Sequence, residues 1–310
     1  MAAALGAAIA PPAAAAAAAP PRLEFTSPPA LYGEVAGLRF LPASRLGGVV
    51  ELVGLQAPGP VIRVVLVPED MPLAQQTPRR IQGFAVGAES AVVLFPQRVV
   101  SYPYDSLDSL LVHEVAHVLL YRAAGGRALP RWFQEGVALL AARDWRLADG
   151  ERLIVGGVSG VPRSTAALER AFAGEGYATD TAYAIAGALA RELVRRHGRD
   201  AVARIAAAVA TGEEFSQAFT TATGESLADF ESAFWRRFQL LYRWVPFLTS
   251  GTALWLGVTA LALVAIARRR ARDAALHRRW AEEERLMEER AAAPPPPPAA
   301  PGEVGPWGPH

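Results

Sequence analysis

Residues 110–120 read LLVHEVAHVLL, and this stretch decides how the rest of the chain is interpreted. Histidines four apart on a helix project from one face, so His113 and His117 can reach the same metal ion. Glu114 lies about 100° round the helix from His113, beside the coordination position that the two histidines leave open. The H-E-x-x-H spacing is typical of zinc sites in which the glutamate acts as a general base. The sequence therefore predicts a metal-binding helix.

A catalytic zinc site needs a third protein ligand and leaves one position for water. Residues 129–136 read LPRWFQEG, and Glu135 in this stretch can supply a carboxylate from a second helix that Pro130 begins. The alternative interpretation is a histidine pair in the protein core that is hydrogen-bonded to Glu135 without a metal. We favour the metal, because two of only five histidines on one apolar helical face would otherwise be buried polar groups.

Composition limits the classes of function. The chain has 310 residues and a formal net charge of +1, so it offers no broad basic surface and we expect no nucleic-acid partner. It has no cysteine, which excludes disulfides, thiolate nucleophiles and cysteine zinc fingers. Any metal must therefore be bound by histidine and carboxylate side chains.

The N-terminal part is predicted to contain a leader and a sheet. Residues 1–22 are almost entirely alanine and proline, which is typical either of a low-complexity leader or of a signal segment. Short apolar runs at residues 48–53, 61–67 and 91–95 predict strands of one sheet. Residues 83–90 are interpreted either as an exposed strand edge that pairs with a substrate peptide or as a hairpin turn.

The second part is predicted to be mainly helical. The metal-binding helix has Asp105 or Ser106 as its N-cap, runs to about Ala123 and is followed by a turn at Gly125-Gly126. Residues 144–163 are expected to form a hairpin or loop that makes one wall of a cleft. A period of 3.6 residues then predicts five helices, near residues 165–173, 180–197, 199–210, 213–222 and 226–242.

Residues 245–267 contain no charged side chain, are long enough to span a bilayer, and are followed directly by three arginines. They predict one C-terminal transmembrane helix. Because positive charge is denser after this segment than before it, we expect the N-terminal domain to be extracytoplasmic and the tail, residues 268–310, to be cytoplasmic. The tail has a charged helical piece and a proline run at residues 294–298, which serves either as a spacer or as a docking segment for a partner.

These motifs resemble those of the gluzincin metallopeptidases, which include the thermolysin and aminopeptidase N families, and more closely those of the peptidase MA-like proteins. The matching residues are 113–117 (HEVAH), 129–138 (LPRWFQEGVA) and, more loosely, the helical stretch 182–198, so the resemblance covers about half of the chain. It implies a zinc ion bound by the two histidines and Glu135. It also implies that Glu114 activates water as a general base and then passes the proton to the leaving amine.

Gluzincins stabilise the developing oxyanion with a tyrosine or histidine on a later helix, and the resemblance assigns this role to Tyr183, with Tyr177 as the competitor. Two departures from the family patterns stand out. Thermolysin-type enzymes carry an aspartate four residues after the glutamate ligand, where this chain has Leu139. Residues 87–90 (GAES) match the amine-binding Gly-x-Met-Glu-Asn strand of aminopeptidases only faintly, so exopeptidase activity is not supported.

We therefore expect an α+β fold: a gluzincin-like or thermolysin-like catalytic domain at residues 23–243, with an N-terminal sheet and a helical C-terminal half, plus the transmembrane helix at residues 245–267. The expected function is membrane-anchored, zinc-dependent hydrolysis of a peptide or protein substrate. The alternative is a membrane-anchored binding or scaffold protein that retains a peptidase-like domain without turnover. An intact Glu114 favours the enzyme, because zinc binding requires the ligands and not the base.

Overall fold

Four short strands form one sheet in the computed structural model, which describes residues 18–99, 102–142, 149–150, 153, 164–172, 177–248 and 251–292. The strands are β1 (Leu23–Thr26), β2 (Ile62–Leu66), β3 (Gly83–Val86) and β4 (Ala91–Leu94), in the spatial order β1-β2-β4-β3. The pairs β1-β2 and β2-β4 are parallel, whereas β3 runs antiparallel to β4. This places β3 at one edge of the sheet.

Helices fill the rest of the described chain. In the N-terminal part these are α1 (Tyr32–Arg39), α2 (Ala43–Leu52) and α3 (Pro72–Gln76). The later helices are α4 (Leu107–Ala123), α5 (Arg131–Ala142), α6 (Thr165–Phe172), α7 (Tyr177–His197), α8 (Ala201–Ala210), α9 (Phe215–Thr223), α10 (Leu227–Leu248) and α11 (Gly251–Ala292). The chain divides into two units, Met1–Arg243 and Trp244–His310.

The predicted strand at residues 48–53 is wrong, because these residues belong to helix α2 and the turn that follows it. The apolar side chains of Leu46, Val49, Val50 and Val53 are all buried and follow the i, i+3, i+4, i+7 spacing of a helical face. A short run rich in β-branched residues fits a strand as well as a buried helix when it is considered alone. The helix forms because that spacing presents all four side chains to one core.

The predicted fold class is wrong as well. The described chain is mostly helical with a small sheet, rather than an α+β domain with a sheet-rich N-terminal part. Among the described helices, none has both the length and the hydropathy needed to cross a membrane. Within the apolar run 245–267, Val245–Leu248 belongs to α10, and the residues from Gly251 onward belong to α11, which becomes charged from Arg268. The predicted single-pass membrane localisation and its topology are therefore wrong too.

Helix α4 lies at the centre of the first unit. It contacts strands β3 and β4 and helices α2, α5 and α8, and eleven of its seventeen residues are buried. The hydroxyl of Ser106 caps its first turn by accepting a hydrogen bond from the Ser109 amide at 3.1 Å. Its C-terminal turn uses Gly125 and Gly126 at φ values of 63° and 77°, which glycine adopts without steric cost. The helix is thus held at both ends.

Arg98 organises the loop that leads into β3. Its guanidinium is buried and donates hydrogen bonds to the Glu69 carboxylate at 2.6 Å and 3.2 Å. The other donors of this guanidinium reach four backbone carbonyls, those of Ala74, Thr77, Pro78 and Ile81. The last of these carbonyls lies two residues before Gly83, so Arg98 holds the loop that immediately precedes the edge strand.

Some predicted segments lie outside the described residues. They are the leader up to residue 17, most of the expected hairpin at residues 144–163, and the proline run at residues 294–298.

Candidate metal centre

Three side-chain atoms from two helices converge on one point. The Nε2 atoms of His113 and His117 lie 3.0 Å apart, and Oε2 of Glu135 lies 3.2 Å from the first and 3.5 Å from the second. A tetrahedral metal with bonds of about 2.0–2.1 Å separates its ligand atoms by about 3.3–3.4 Å. The three donors therefore already have the mutual spacing that one metal ion requires, and they form a buried group that can hold one.

The same three contacts are also possible as hydrogen bonds in a metal-free protein. Burial would raise the pKa of Glu135, but its hydrogen bonds to the two histidines outweigh burial and hold the pKa well below its ordinary value. Burial would lower the pKa of His117, and the hydrogen bond and negative charge of Glu135 raise it instead. A cation bound between these groups would take the place of the proton that the raised pKa favours on His117.

Glycine at position 136 lets the helix that carries Glu135 approach its neighbour closely. Helix α5 packs between α4 and α7. A Cβ atom on Gly136 would overlap the carbonyl oxygen of Ala186 in α7 and lie 3.0 Å from Cβ of Ala190. The absence of a side chain therefore sets the distance between α5 and α7, and with it the position of the neighbouring Glu135.

Glu114 is buried beside the three donors but is not one of them. Only 4% of its surface is exposed, and burial raises the pKa of its carboxyl from the ordinary 4.5 to about 7. The charge of His117 acts in the opposite direction, and the charge of Glu135 adds to the rise. A bound cation would favour the carboxylate form. Without a bound cation, the Glu114 carboxyl can therefore exchange a proton near neutral pH.

A cleft of about 770 Å³ opens onto this group. Its walls come from β3 and the residues before it, from residues 102–104, and from helices α4, α5 and α7. Among the described strands, β3 pairs only with β4, so its outer edge faces no other strand. Six aromatic side chains line the cleft: Phe84, Tyr102, Tyr104, Tyr121, Phe172 and Tyr183. The cleft can therefore accommodate an extended chain beside the metal-binding group.

Tyr183 lies in this cleft with the predicted ligands and Glu114. Burial and the negative charge of Glu135 raise the pKa of its hydroxyl above the ordinary value, so the hydroxyl stays protonated and can donate a hydrogen bond. Its ring packs edge-on against Phe172, with centroids 5.4 Å apart. The competing Tyr177 begins α7, but its side chain is outside the part of the chain that the structure describes.

Arg131 is a residue of this site that sequence reasoning missed. Its Nε atom donates to Oε1 of Glu135 at 3.3 Å, and its guanidinium also interacts with the Tyr183 hydroxyl. The Arg–Glu spacing of four residues within the stretch LPRWFQEG would have indicated the first contact. Leu139, at the position of the thermolysin aspartate, is an apolar core residue.

Comparison with known proteins leaves the family open. No protein-family model matches the chain, and no curated protein matches it significantly. The resemblance to the gluzincins therefore stays a prediction that rests on the motif residues alone.

Proposed function

We propose that this protein is a zinc-dependent peptidase. The observation that carries the proposal is the position of Glu114, a buried carboxyl with a pKa of about 7, in the same cleft as the His113, His117 and Glu135 donors. A site that only bound a metal would need the three donors and would have no use for a fourth, non-ligating acid beside them. Three metal donors with a non-ligating carboxyl beside them are typical of sites for metal-assisted hydrolysis.

Zinc is the metal that the donor set fits best. Two imidazole nitrogens and one carboxylate oxygen make up the ligand set of hydrolytic zinc sites, which keep a fourth position for water or substrate. The group offers no thiolate and only one carboxylate, so it suits zinc better than the hard cations calcium and magnesium. When bound, zinc supplies Lewis acidity, which polarises a carbonyl and lowers the pKa of water.

Three residues of the cleft have separate roles in the proposed hydrolysis. Glu114 takes a proton from the attacking water and passes it to the leaving amine, because its carboxyl lies in the cleft beside the three donors without being one of them. The protonated hydroxyl of Tyr183 donates a hydrogen bond to the oxygen on which negative charge develops. Arg131 interacts with this hydroxyl and so helps to hold it in place.

A peptide is the substrate class that the cleft supports. The outer edge of β3 offers backbone donors and acceptors along one wall, and an extended peptide can pair with such an edge. The aromatic side chains on the other walls can accept apolar side chains of the same peptide.

The deciding experiment is the Glu114→Gln variant of the full chain. Glutamine keeps the size of the side chain and removes its proton acceptor, so we expect one zinc per chain to remain while peptide hydrolysis falls by about 10²–10⁴-fold. Zinc content is measured by elemental analysis, and hydrolysis with a library of quenched fluorescent peptides.

Glu192→Gln is the matched control, because Glu192 lies on α7 outside the cleft and pairs with Arg195. This variant should keep both zinc and activity. If Glu114→Gln cleaves a responsive peptide as fast as the wild type, Glu114 is not the base. If the wild type binds zinc but cleaves nothing in the library, the protein is a binding or scaffold protein instead.

A further inference from the structure

Glu135 uses its two carboxylate oxygens for different partners. Oε2 faces the two histidines, at 3.2 Å and 3.5 Å, whereas Oε1 accepts a hydrogen bond from Nε of Arg131 at 3.3 Å. Arg131 lies one helical turn before Glu135 on α5, so the backbone of that helix holds the two residues together. Oε2 is therefore the oxygen that contacts the histidines, and Oε1 is the oxygen that contacts Arg131.

Arg131 is itself held in place from two further directions. Its guanidinium carbon lies 5.0 Å from the centre of the Phe172 ring, and that ring packs on Tyr183. The guanidinium also interacts with the hydroxyl of Tyr183. The planar guanidinium can make these contacts together because its donors point in fixed directions, which a lysine ammonium cannot reproduce.

We infer that Arg131 is a positioning residue for the metal centre, which orients Glu135 so that only Oε2 is presented to the metal. Mutation of a group that hydrogen-bonds to a metal-ligating side chain commonly lowers metal affinity 10-fold to 100-fold. Arg131 supplies such a contact to Glu135 from four residues earlier in the same helix.

The positive charge of Arg131 acts against this role, because like charges repel and a metal ion would lie close to it. The side chain is 46% exposed, so solvent screens its charge, whereas the hydrogen bond to the buried carboxylate is short-ranged and directional. Orientation therefore outweighs repulsion, and removal of Arg131 should weaken metal binding. If repulsion dominated, the same change would strengthen it, so the sign of the effect discriminates between the two.

The test measures metal binding by the full chain and needs no catalytic activity. Zinc affinity is determined by competition with a chromophoric chelator, and ligand geometry by the visible absorption spectrum of the cobalt-loaded protein. We expect Arg131→Met to lower zinc affinity about 10-fold to 100-fold and to change the cobalt spectrum. Arg131→Lys keeps the charge but loses the planar fork, so it should also bind zinc more weakly than the wild type.

Arg195→Met is the control, because it removes another partly exposed arginine that is paired with a glutamate on the same helix, away from the cleft. Its zinc affinity and cobalt spectrum should equal those of the wild type. Equal or tighter zinc binding by Arg131→Met overturns the inference and leaves the metal centre intact. If that variant does not fold, unchanged affinity in Arg131→Lys overturns it. A wild-type chain that binds neither zinc nor cobalt overturns the metal centre together with this role.

Discussion

Oε2 of Glu135 lies 3.2 Å from Nε2 of His113, although 22 residues separate them in the chain. The turn at Gly125-Gly126 and the packing of α5 on α4 bring the two side chains together. This contact adds a carboxylate oxygen to the pair of histidines, so it converts a helical motif into a three-donor group.

The first prediction concerns that third donor. Glu135→Gln keeps the side-chain volume but replaces the charged oxygen by a neutral amide, so zinc affinity should fall by more than about 100-fold, beyond the effect of an orienting residue. Chelator competition on the full chain measures this. Glu192→Gln, which removes a carboxylate that lies outside the cleft on α7, should bind zinc like the wild type. Unchanged affinity in Glu135→Gln would place the third ligand elsewhere.

The second prediction is a pH dependence of the metal-free protein. The folded state raises the pKa of Glu114 from 4.5 to about 7, so it binds a proton that the unfolded chain has lost. The free energy of unfolding should therefore decrease as pH rises from about 4.5 to 7, by roughly 3 kcal/mol in total. Glu114→Gln has no carboxyl that can bind a proton at this position, so its free energy of unfolding should not show this decrease.

Urea unfolding of both metal-free proteins between pH 5 and 8 measures the difference. The comparison with the variant removes most of the contributions of His117 and Glu135, which titrate in both proteins. Glu192→Gln should differ from the wild type by a constant amount over this range, because the hydrogen bond from Arg195 lowers the pKa of Glu192 below its ordinary 4.5 and its titration is complete before pH 5. Parallel curves for wild type and Glu114→Gln would show that the carboxyl is not desolvated.

The third prediction concerns the packing of α5 on α7. Gly136→Ala forces a methyl group against the carbonyl of Ala186, so the two helices must separate, and the free energy of unfolding should fall by about 1–3 kcal/mol. Gly48→Ala in α2 is the matched control, because a Cβ atom there meets nothing within 4 Å. It should raise stability by about 0.5–1 kcal/mol. Equal stability of Gly136→Ala and the wild type would mean that α5 can shift without cost.

Several features were predictable because they depend on local sequence. The helix of His113 and His117 and its end at Ala123 follow from residue spacing and from the glycines after it, and of the two predicted caps, Asp105 and Ser106, the structure uses Ser106. The predicted helices between residues 165 and 242 also have counterparts in α6 to α10, because a period of 3.6 residues marks the buried face of each helix.

Two wrong predictions and one missed role concern features that local sequence does not decide. Residues 48–53 fit two periods, and burial against the core selected the helix. The apolar run 245–267 predicted one transmembrane helix, and none of the described helices has both the length and the hydropathy needed to cross a membrane. The role of Arg98 was missed, because an exposed surface arginine and a buried organising arginine look alike in a sequence.

The amino-acid sequence by itself determined which side chains can bind a metal, since the spacing of donors on one helix is a property of the backbone. Only the tertiary structure decided that Glu135 meets the histidines at 3.2 Å and 3.5 Å, that Tyr183 enters the same cleft, and that β3 lies at the edge of the sheet. The physical reason is that contacts between distant segments depend on which apolar faces bury each other, and that choice is made by the whole core at once.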